Sequence, residues 1–154
     1  MIHKATASDR RLFLTMWGEY LAELQTLGGE MLPTEKTMAF FGNIFDAYTT
    51  TAIRGVVMMA GSRGVLMEGA YANVASLDTT HEPMAHSWGG YTRPAHRRKG
   101  VSRVLRESMN KALRELGFKT ILAGAHAGNS VGAEAMRARG YETMQDLMVL
   151  RLEE

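Results

Sequence analysis

The sequence predicts a mixed α/β (α+β) fold made of one domain, residues 1–154. Three observations support this prediction. The first third carries two helical patterns with apolar faces, the middle carries short valine- and methionine-rich runs around a glycine turn, and the second half alternates short apolar runs with helices. Elements of both kinds bury their apolar faces by stacking in layers. A chain of this length can bury a hydrophobic core without disulfides.

The N-terminal third is expected to be mainly helical. Residues Ile2 to Thr6 suit a short edge strand, and Ser8 or Asp9 suits the cap of a first helix that ends at Gly28 and Gly29. A second helix is expected over Thr34 to Tyr48. The first helix is amphipathic because its apolar residues share one face: Leu12, Phe13, Met16, Trp17, Tyr20, Leu21 and Leu24.

The middle of the chain has the pattern of a β-hairpin. Ile53 to Ala60 and Val65 to Tyr71 are short apolar runs, and Gly61-Ser62-Arg63-Gly64 between them predicts a four-residue turn. A polar loop over 73–83 follows, containing Asp78, His81 and Glu82, and loops of this length in compact domains often carry function. A further strand is expected over Ala85 to Thr92, closed by Pro94.

A basic segment precedes the most regular helix of the chain. It reads Arg97-Arg98-Lys99-Gly100-Val101-Ser102, and the helical pattern that begins there ends at Gly117, a C′ residue. Backbone N–H groups at a helix N-terminus lack partners and the helix dipole is positive there, so anions bind. The segment therefore predicts a phosphate-binding turn. Its helix repeats apolar residues at helical spacing: Val101, Val104, Leu105, Met109, Ala112, Leu113 and Leu116.

Three elements are expected after this helix. Thr120 to Ala125 suits a short strand, Ser130 to Arg139 a short helix ended by Gly140, and Thr143 to Leu152 a final strand.

Composition narrows the class of protein. The absence of cysteine excludes disulfides, thiolate metal sites and a cysteine nucleophile, and a cytoplasmic location is expected. No apolar run reaches the roughly 18 residues of a membrane span, so no membrane association is expected. The formal net charge of +2 is too small to require nucleic acid as a partner. His81, Glu82 and His86 match no recognised zinc spacing, so no metal is expected.

The order of elements and the basic segment resemble the GNAT family of N-acetyltransferases. The family signature Q/R-x-x-G-x-G/A lies between a central strand and a long helix, where this chain has Arg97 to Ser102, with serine in place of the final glycine or alanine. Upstream, Tyr91-Thr92-Arg93-Pro94 is similar to the family's hydrophobic-x-Val-x-Pro stretch. The resemblance implies that backbone groups near Thr92 pair with the pantetheine arm of acetyl-CoA as an added strand.

Two later landmarks also resemble the family: Asn129 before a helix, and Gly140-Tyr141 before the last strand. The resemblance implies a mixed, mostly antiparallel central sheet flanked by helices. It further implies acetyl-CoA as cosubstrate, direct transfer of its acetyl group to a primary amine of an unidentified acceptor, and dimerisation as one option. The residues expected to contact acetyl-CoA are Thr92, Arg97, Arg98, Lys99, Gly100, Val101, Ser102 and Asn129.

His126 is the first candidate for the general base, because it follows a strand near Asn129 and an imidazole transfers protons near neutral pH. A solvent-facing loop histidine is the alternative reading, and Glu68, His86 and Glu82 are rival bases. Family members commonly place a tyrosine acid on the helix after the asparagine, where this chain has Met136. Methionine donates no proton, although a CoA thiol can leave as a thiolate with little help.

Two other classes of function stay open from the sequence. A catalytically idle acyl-CoA-binding sensor would use the same phosphate turn, and Ser102 and Met136 motivate it. A nucleic-acid-binding face over Arg93 to Arg114 is the less favoured reading. Another interpretation that the sequence leaves undecided is an acceptor pocket lined by aromatic side chains: Trp17, Tyr20, Phe40, Phe41 and Trp88. The helical spacing of Trp17 and Tyr20 instead favours core packing for these two. Scattered carboxylates could attract an amine or lie in solvent: Glu19, Glu23, Glu30 and Asp46.

Overall fold

A computed structural model describes residues 1–29, 31–70, 84–124, 129–143 and 150–152. The polar loop, His126 and most of the expected final strand lie outside these ranges. Within them, the helices and strands follow the order that the sequence predicts. They are β1 His3–Lys4, α1 Arg10–Thr26, α2 Glu35–Thr49, β2 Gly55–Met59, β3 Gly64–Gly69, β4 Met84–Thr92, α3 Val101–Glu115, β5 Thr120–Leu122 and α4 Ser130–Ala138.

The described strands form one sheet in the order β1-β2-β3-β4-β5. Neighbours from β1 to β4 pair antiparallel, and only β4 and β5 run parallel. The mixed, mostly antiparallel sheet flanked by helices is therefore confirmed. Hairpin and meander connections need only short turns, whereas the parallel pair needs a crossover, which α3 supplies.

Helices cover both faces of the sheet. On one face, α1 and α2 pack Phe13, Trp17 and Phe45 against strand residues such as Val57 and Met67. On the other face, α3 packs one apolar side into the sheet. Alternation along β2 separates the two cores, since Val57 and Met59 join the first while Val56 and Met58 join the second. The side chains of α3 that face this second core are Val101, Leu105, Met109, Ala112 and Leu113.

Local signals in the sequence set the helix boundaries. The side chain of Thr34 caps α2 by accepting a hydrogen bond from the Thr37 N–H at 3.2 Å. After α3, Gly117 has φ +89°, a left-handed conformation that ends the helix and suits glycine. In the described part of the chain, no helix is both long and apolar enough to cross a membrane.

Candidate functional site

Strands β4 and β5 lie side by side over a short distance and then separate. They pair only at Met84–Thr120, Ala85–Ile121 and His86–Leu122. Over residues 87–92, β4 pairs with β3 on one side, except at Trp88, and with no described strand on the other. A strand edge that no described strand covers offers its backbone N–H and C=O groups to an extended ligand, which can bind by strand addition.

A β-bulge bends β4 where the strands separate. Met67 pairs with Gly89 and Glu68 with Ser87, so Trp88 is the extra residue. Gly89 has φ +135°, and a Cβ there would lie 2.3 Å from the hydroxyl oxygen of Tyr20. The position therefore requires glycine for both its conformation and its packing. The bulge lies just beyond His86, the last β4 residue that pairs with β5 among the described residues.

Two tyrosines hold the bulged strand from the α1 and α2 side. The Trp88 indole donates to the Tyr48 hydroxyl at 2.9 Å, and that hydroxyl donates to the Ala70 carbonyl at 2.9 Å. Burial raises the pKa of Tyr48 to about 12, so the phenol stays protonated. The second tyrosine, Tyr20, packs its hydroxyl against the backbone of Gly89. Sequence patterns alone do not show these contacts, because they depend on the bulge.

The basic turn, which begins with a 3-10 helix at Pro94–His96, connects the end of β4 to the N-terminus of α3. Gly100 is the N-cap residue with φ +81°, and no side chain caps the helix. The nearest described atom to an added Cβ at Gly100 would be 4.0 Å away, on Arg103, so the backbone surface is open. First-turn N–H groups of a helix have no partner within the helix. The open edge of β4 and this uncapped helix end thus adjoin, as a site for an extended ligand with an anionic group requires.

The basic side chains of the turn have different surroundings. Arg97 donates to the Thr92 carbonyl at 2.9 Å and to Glu23 at 2.5 Å, and its guanidinium lies 5.8 Å from the centre of the Tyr91 ring. Lys99 donates to the Ala95 carbonyl at 2.9 Å. These two cations therefore hold the turn in place.

The remaining residues of the turn differ in exposure. Arg98 has φ +58° and an exposed side chain. Val101 is buried in the second core, so only its backbone can face a ligand. Ser102 is exposed, and its hydroxyl accepts a hydrogen bond from Arg139 at 2.8 Å. The backbone, rather than every basic side chain, is the feature of this turn that can bind an anion.

Asn129 has a structural role at the start of α4. Its side-chain oxygen accepts a hydrogen bond from the Gly132 N–H at 2.9 Å and so caps the helix. An added Cβ at Gly132 would lie 2.5 Å from the Asn129 amide nitrogen. Met136 lies on this helix, half-buried. The sequence signal Asn129-x-x-Gly132 is therefore at least a helix-capping pattern.

The rival bases have unequal surroundings. Glu68 is fully buried, and Arg106 on α3 donates to its Oε2 at 2.8 Å, which commits the carboxylate to an ion pair. His86 is the last β4 residue paired with β5, and its ring meets Trp88 edge-on at 4.7 Å. Burial lowers the pKa of His86, an effect that the charge of Glu68 partly opposes, so the ring is neutral near pH 7. A neutral imidazole can accept a proton, whereas His126 and Glu82 lie outside the described residues.

The aromatic residues and carboxylates of α1 and α2 are mostly structural. Trp17 and Phe41 are buried core residues, while Phe40 is 42% exposed. Glu19 receives two hydrogen bonds from Arg93 at 2.9 and 2.7 Å, which tie α1 to the end of β4. The hydrogen bonds from Arg93 lower the pKa of Glu19, against the opposing effect of burial. Asp46 pairs with Arg10 at 2.8 Å, and Glu30 lies outside the described residues.

No protein-family model and no curated protein matches the chain. Solved structures match it at low sequence identity over nearly their whole length. An aminoglycoside acetyltransferase, AAC(6')-Iy, in complex with a bisubstrate analogue is 13% identical, with a TM-score of 0.71 over 99% of this chain and 97% of that one. A predicted acetyltransferase with acetyl-CoA from Clostridium acetobutylicum is 13% identical, with a TM-score of 0.74 over 98% and 95%.

A third structure agrees with these two. The aminoglycoside antibiotic 6'-N-acetyltransferase AAC(6')-IG from Acinetobacter haemolyticus is 15% identical, with a TM-score of 0.67 over 100% of this chain and 99% of that chain. The chain therefore has the fold of the GNAT acetyltransferases. The expected fold is confirmed, while the residues assigned to acetyl-CoA and the general base stay predictions.

Proposed function

We propose that this chain is an N-acetyltransferase that moves the acetyl group of acetyl-CoA directly to a primary amine, with residues 1–154 acting as one domain. The observation that carries the proposal is the edge of β4 over 87–92, which no described strand covers and which leads through residues 93–100 to the N-terminus of α3, where the N-cap Gly100 supplies no side chain. An extended amide-bearing arm joined to a diphosphate matches both features together. The fold of acetyltransferases supports the same activity.

Residues of β4 and the basic turn would bind acetyl-CoA. Backbone groups near Thr92 would pair with the pantetheine arm, and the N–H groups around Gly100, Val101 and Ser102 would bind the diphosphate. Arg97 and Lys99 would act by holding the turn through the Thr92 and Ala95 carbonyls. Arg98 has an exposed side chain that can reach solvent-facing phosphate. Asn129 would act through α4, whose N-terminus it caps.

The transfer step needs a neutral amine and a leaving thiolate. The amine lone pair attacks the thioester carbonyl carbon, the C–S bond breaks, and a base takes the proton from the nitrogen. Two histidines are candidates for the base: His126 from its sequence position, and His86, which lies neutral where β4 and β5 separate. Because Met136 cannot donate a proton, the thiolate would leave without that acid.

The acceptor is proposed only as a primary amine. The complex of AAC(6')-Iy with a bisubstrate analogue related to acetylneamine supports an amine acceptor in this fold. Glu19, Glu23 and Asp46 are already bound to arginines of this chain. A binding site built from these three carboxylates for a polycationic acceptor is therefore not favoured.

A catalytically idle acyl-CoA sensor is the second candidate, and Met136 at the usual tyrosine position favours it. Both candidates require binding of acetyl-CoA. Only the enzyme requires release of the CoA thiol when an amine is added.

The proposal is tested by thermal unfolding with increasing acetyl-CoA, followed by a thiol-release assay. A ligand that binds only the native state raises its stability by about 2.7 kcal/mol at a hundredfold excess over Kd. The amine panel would include aminoglycosides, polyamines, amino acid amides and peptides. No stabilisation at millimolar acetyl-CoA would refute both candidates, whereas stabilisation without thiol release would favour the sensor.

A matched pair of glycine variants locates the site. Gly100→Val should abolish the stabilisation by acetyl-CoA, since it places a side chain on the open backbone of the turn. Gly61→Val is the control, because Gly61 also has a positive φ, +55°, and open space, but lies in the β2–β3 turn. Met136→Leu should keep the stabilisation.

A further inference from the structure

The first turn of α3 is joined to the end of α4 by a hydrogen bond outside the basic turn. Arg139, the C-cap residue of α4, donates to the Ser102 hydroxyl at 2.8 Å across 37 residues of sequence. One turn further along α3, Arg106 lies with its guanidinium carbon 5.8 Å from the centre of the Tyr141 ring. These two contacts place the Arg139 guanidinium beside the helix end that the proposed function assigns to the diphosphate.

Arg139 differs from Arg93 and Arg97 in its partner. Arg93 and Arg97 are bound by the carboxylates of Glu19 and Glu23, which cancel their charges locally. The hydrogen-bond partner of Arg139 is a neutral hydroxyl, and among the described residues no carboxylate lies within ion-pair distance of it. With no described carboxylate beside it, the guanidinium adds positive charge at the α3 N-terminus, where the helix dipole is also positive.

We infer that Arg139 binds a phosphate group of acetyl-CoA, an inference that rests on the proposed function. Two positive elements side by side are stabilised by an anion between them. Arg139 and Ser102 are both exposed, so phosphate can reach the guanidinium without displacing the core. A planar guanidinium forms paired, charge-assisted hydrogen bonds with phosphate oxygens, and its bond to Ser102 fixes it near the turn.

In this arrangement Ser102 has the role of positioning Arg139. The resemblance expects glycine or alanine at this position, and neither has a hydroxyl. Serine keeps the side chain small and supplies the oxygen that holds Arg139. The phosphate contact thus comes from a residue 37 positions away from the motif.

The test compares the affinities of three donors for wild type, Arg139→Gln, Arg139→Lys and Arg137→Gln by calorimetry. Arg137 is the matched control, because it is an exposed arginine on the same helix. The donors are acetyl-CoA, acetyl-dephospho-CoA and S-acetylpantetheine. We expect Arg139→Gln to weaken acetyl-CoA binding about tenfold, since charge-assisted hydrogen bonds are the strong ones. Lysine should restore part of the affinity, and the control should match wild type.

The donor series shows which phosphate is bound. Loss of affinity for acetyl-CoA alone would assign Arg139 to the 3′-phosphate, while the same loss with acetyl-dephospho-CoA would assign it to the diphosphate. An equal loss with S-acetylpantetheine, which has no phosphate, would overturn the inference, as would wild-type affinity of Arg139→Gln for all three donors.

Failure of both candidate functions gives a different result: wild type itself would bind none of the donors. Failure of the transferase alone would leave donor binding intact and remove only the release of the CoA thiol. Unfolding free energies without ligand separate a folding defect from a binding defect. If Arg139→Gln is unstable, the salt dependence of wild-type and Arg139→Lys binding decides the matter. If Arg139 contacts a phosphate, the affinity for acetyl-CoA falls as salt rises, whereas the affinity for S-acetylpantetheine does not. An equal salt dependence of the two affinities would overturn the inference.

Discussion

Arg106 on α3 binds the carboxylate of Glu68 on β3, although 38 residues separate them and Glu68 is 0% exposed. One guanidinium nitrogen donates to Oε2 at 2.8 Å, and the other lies 2.7 Å from Oε1 without the alignment of a hydrogen bond. Both charges are taken from water, so the attraction largely offsets a desolvation cost. The pair fixes how α3 sits against the sheet.

Removing either partner of this pair should lower the free energy of unfolding strongly, whereas removing both should lower it much less. Glu68→Leu or Arg106→Met leaves the other charge buried and alone, with an expected loss of about 3–5 kcal/mol of unfolding free energy. The double variant should lose far less than the sum of the two single losses. Urea denaturation of the four proteins measures this, and additive losses would contradict the prediction.

Asn129 should contribute to stability as a cap. Asn129→Ala removes the acceptor for the Gly132 N–H and should cost about 1 kcal/mol. Asn129→Asp keeps a capping oxygen and should stay near wild type. Ser130→Ala, an exposed neighbour, is the control in the same denaturation series. An aspartate variant as unstable as the alanine variant would refute the capping role.

The close packing of Tyr20 on Gly89 should make Gly89→Ala more harmful than another glycine substitution at positive φ. Gly61→Ala is strained by its backbone alone and should cost about 1 kcal/mol. At Gly89 the added carbon would also lie 2.3 Å from the Tyr20 hydroxyl oxygen, so the loss should be about twice as large or more. Thermal unfolding ranks the two, and equal losses would count against the tight contact.

Burial of His86 should weaken the fold at acid pH. Its pKa is lowered in the folded state, so below the ordinary value of 6.5 the unfolded chain binds more protons there than the folded chain. Unfolding free energy should therefore fall as pH drops below about 6.5. His86→Gln should reduce that fall. Urea titrations between pH 7.5 and about 5 test this, and identical pH slopes for wild type and His86→Gln would contradict it.

The sequence predicts those helices and turns whose signals lie close together in the chain. Val101 to Leu116 repeat at helical spacing, Gly117 ends the helix, and Gly61 to Gly64 mark a turn, so α3 and the β2–β3 hairpin were predictable. The basic segment likewise predicts the start of a helix at Gly100, where the structure has the N-cap of α3, while the anion site itself stays a prediction.

The rest depends on contacts between distant residues. Nothing near Glu68 indicates Arg106, and nothing near Ser102 indicates Arg139. The bulge at Trp88 was not predictable, because strand alternation does not show which residue the partner strand omits. Arg97 and Lys99 read as ligand cations by charge, yet their side chains bind carbonyl oxygens of the turn itself.

The irregular shape of β4, along the edge that no described strand covers, also bears on aggregation. An unpaired strand edge is a general hazard, since a second polypeptide can add to it and start aggregation. Here the edge is distorted by the bulge and by the positive φ of Gly89, with the exposed Gly90 beside it. A flat, pleated peptide strand cannot keep register along such an edge, whereas a thin, flexible ligand can follow it. This irregularity thus disfavours pairing of β4 with a second copy of the chain.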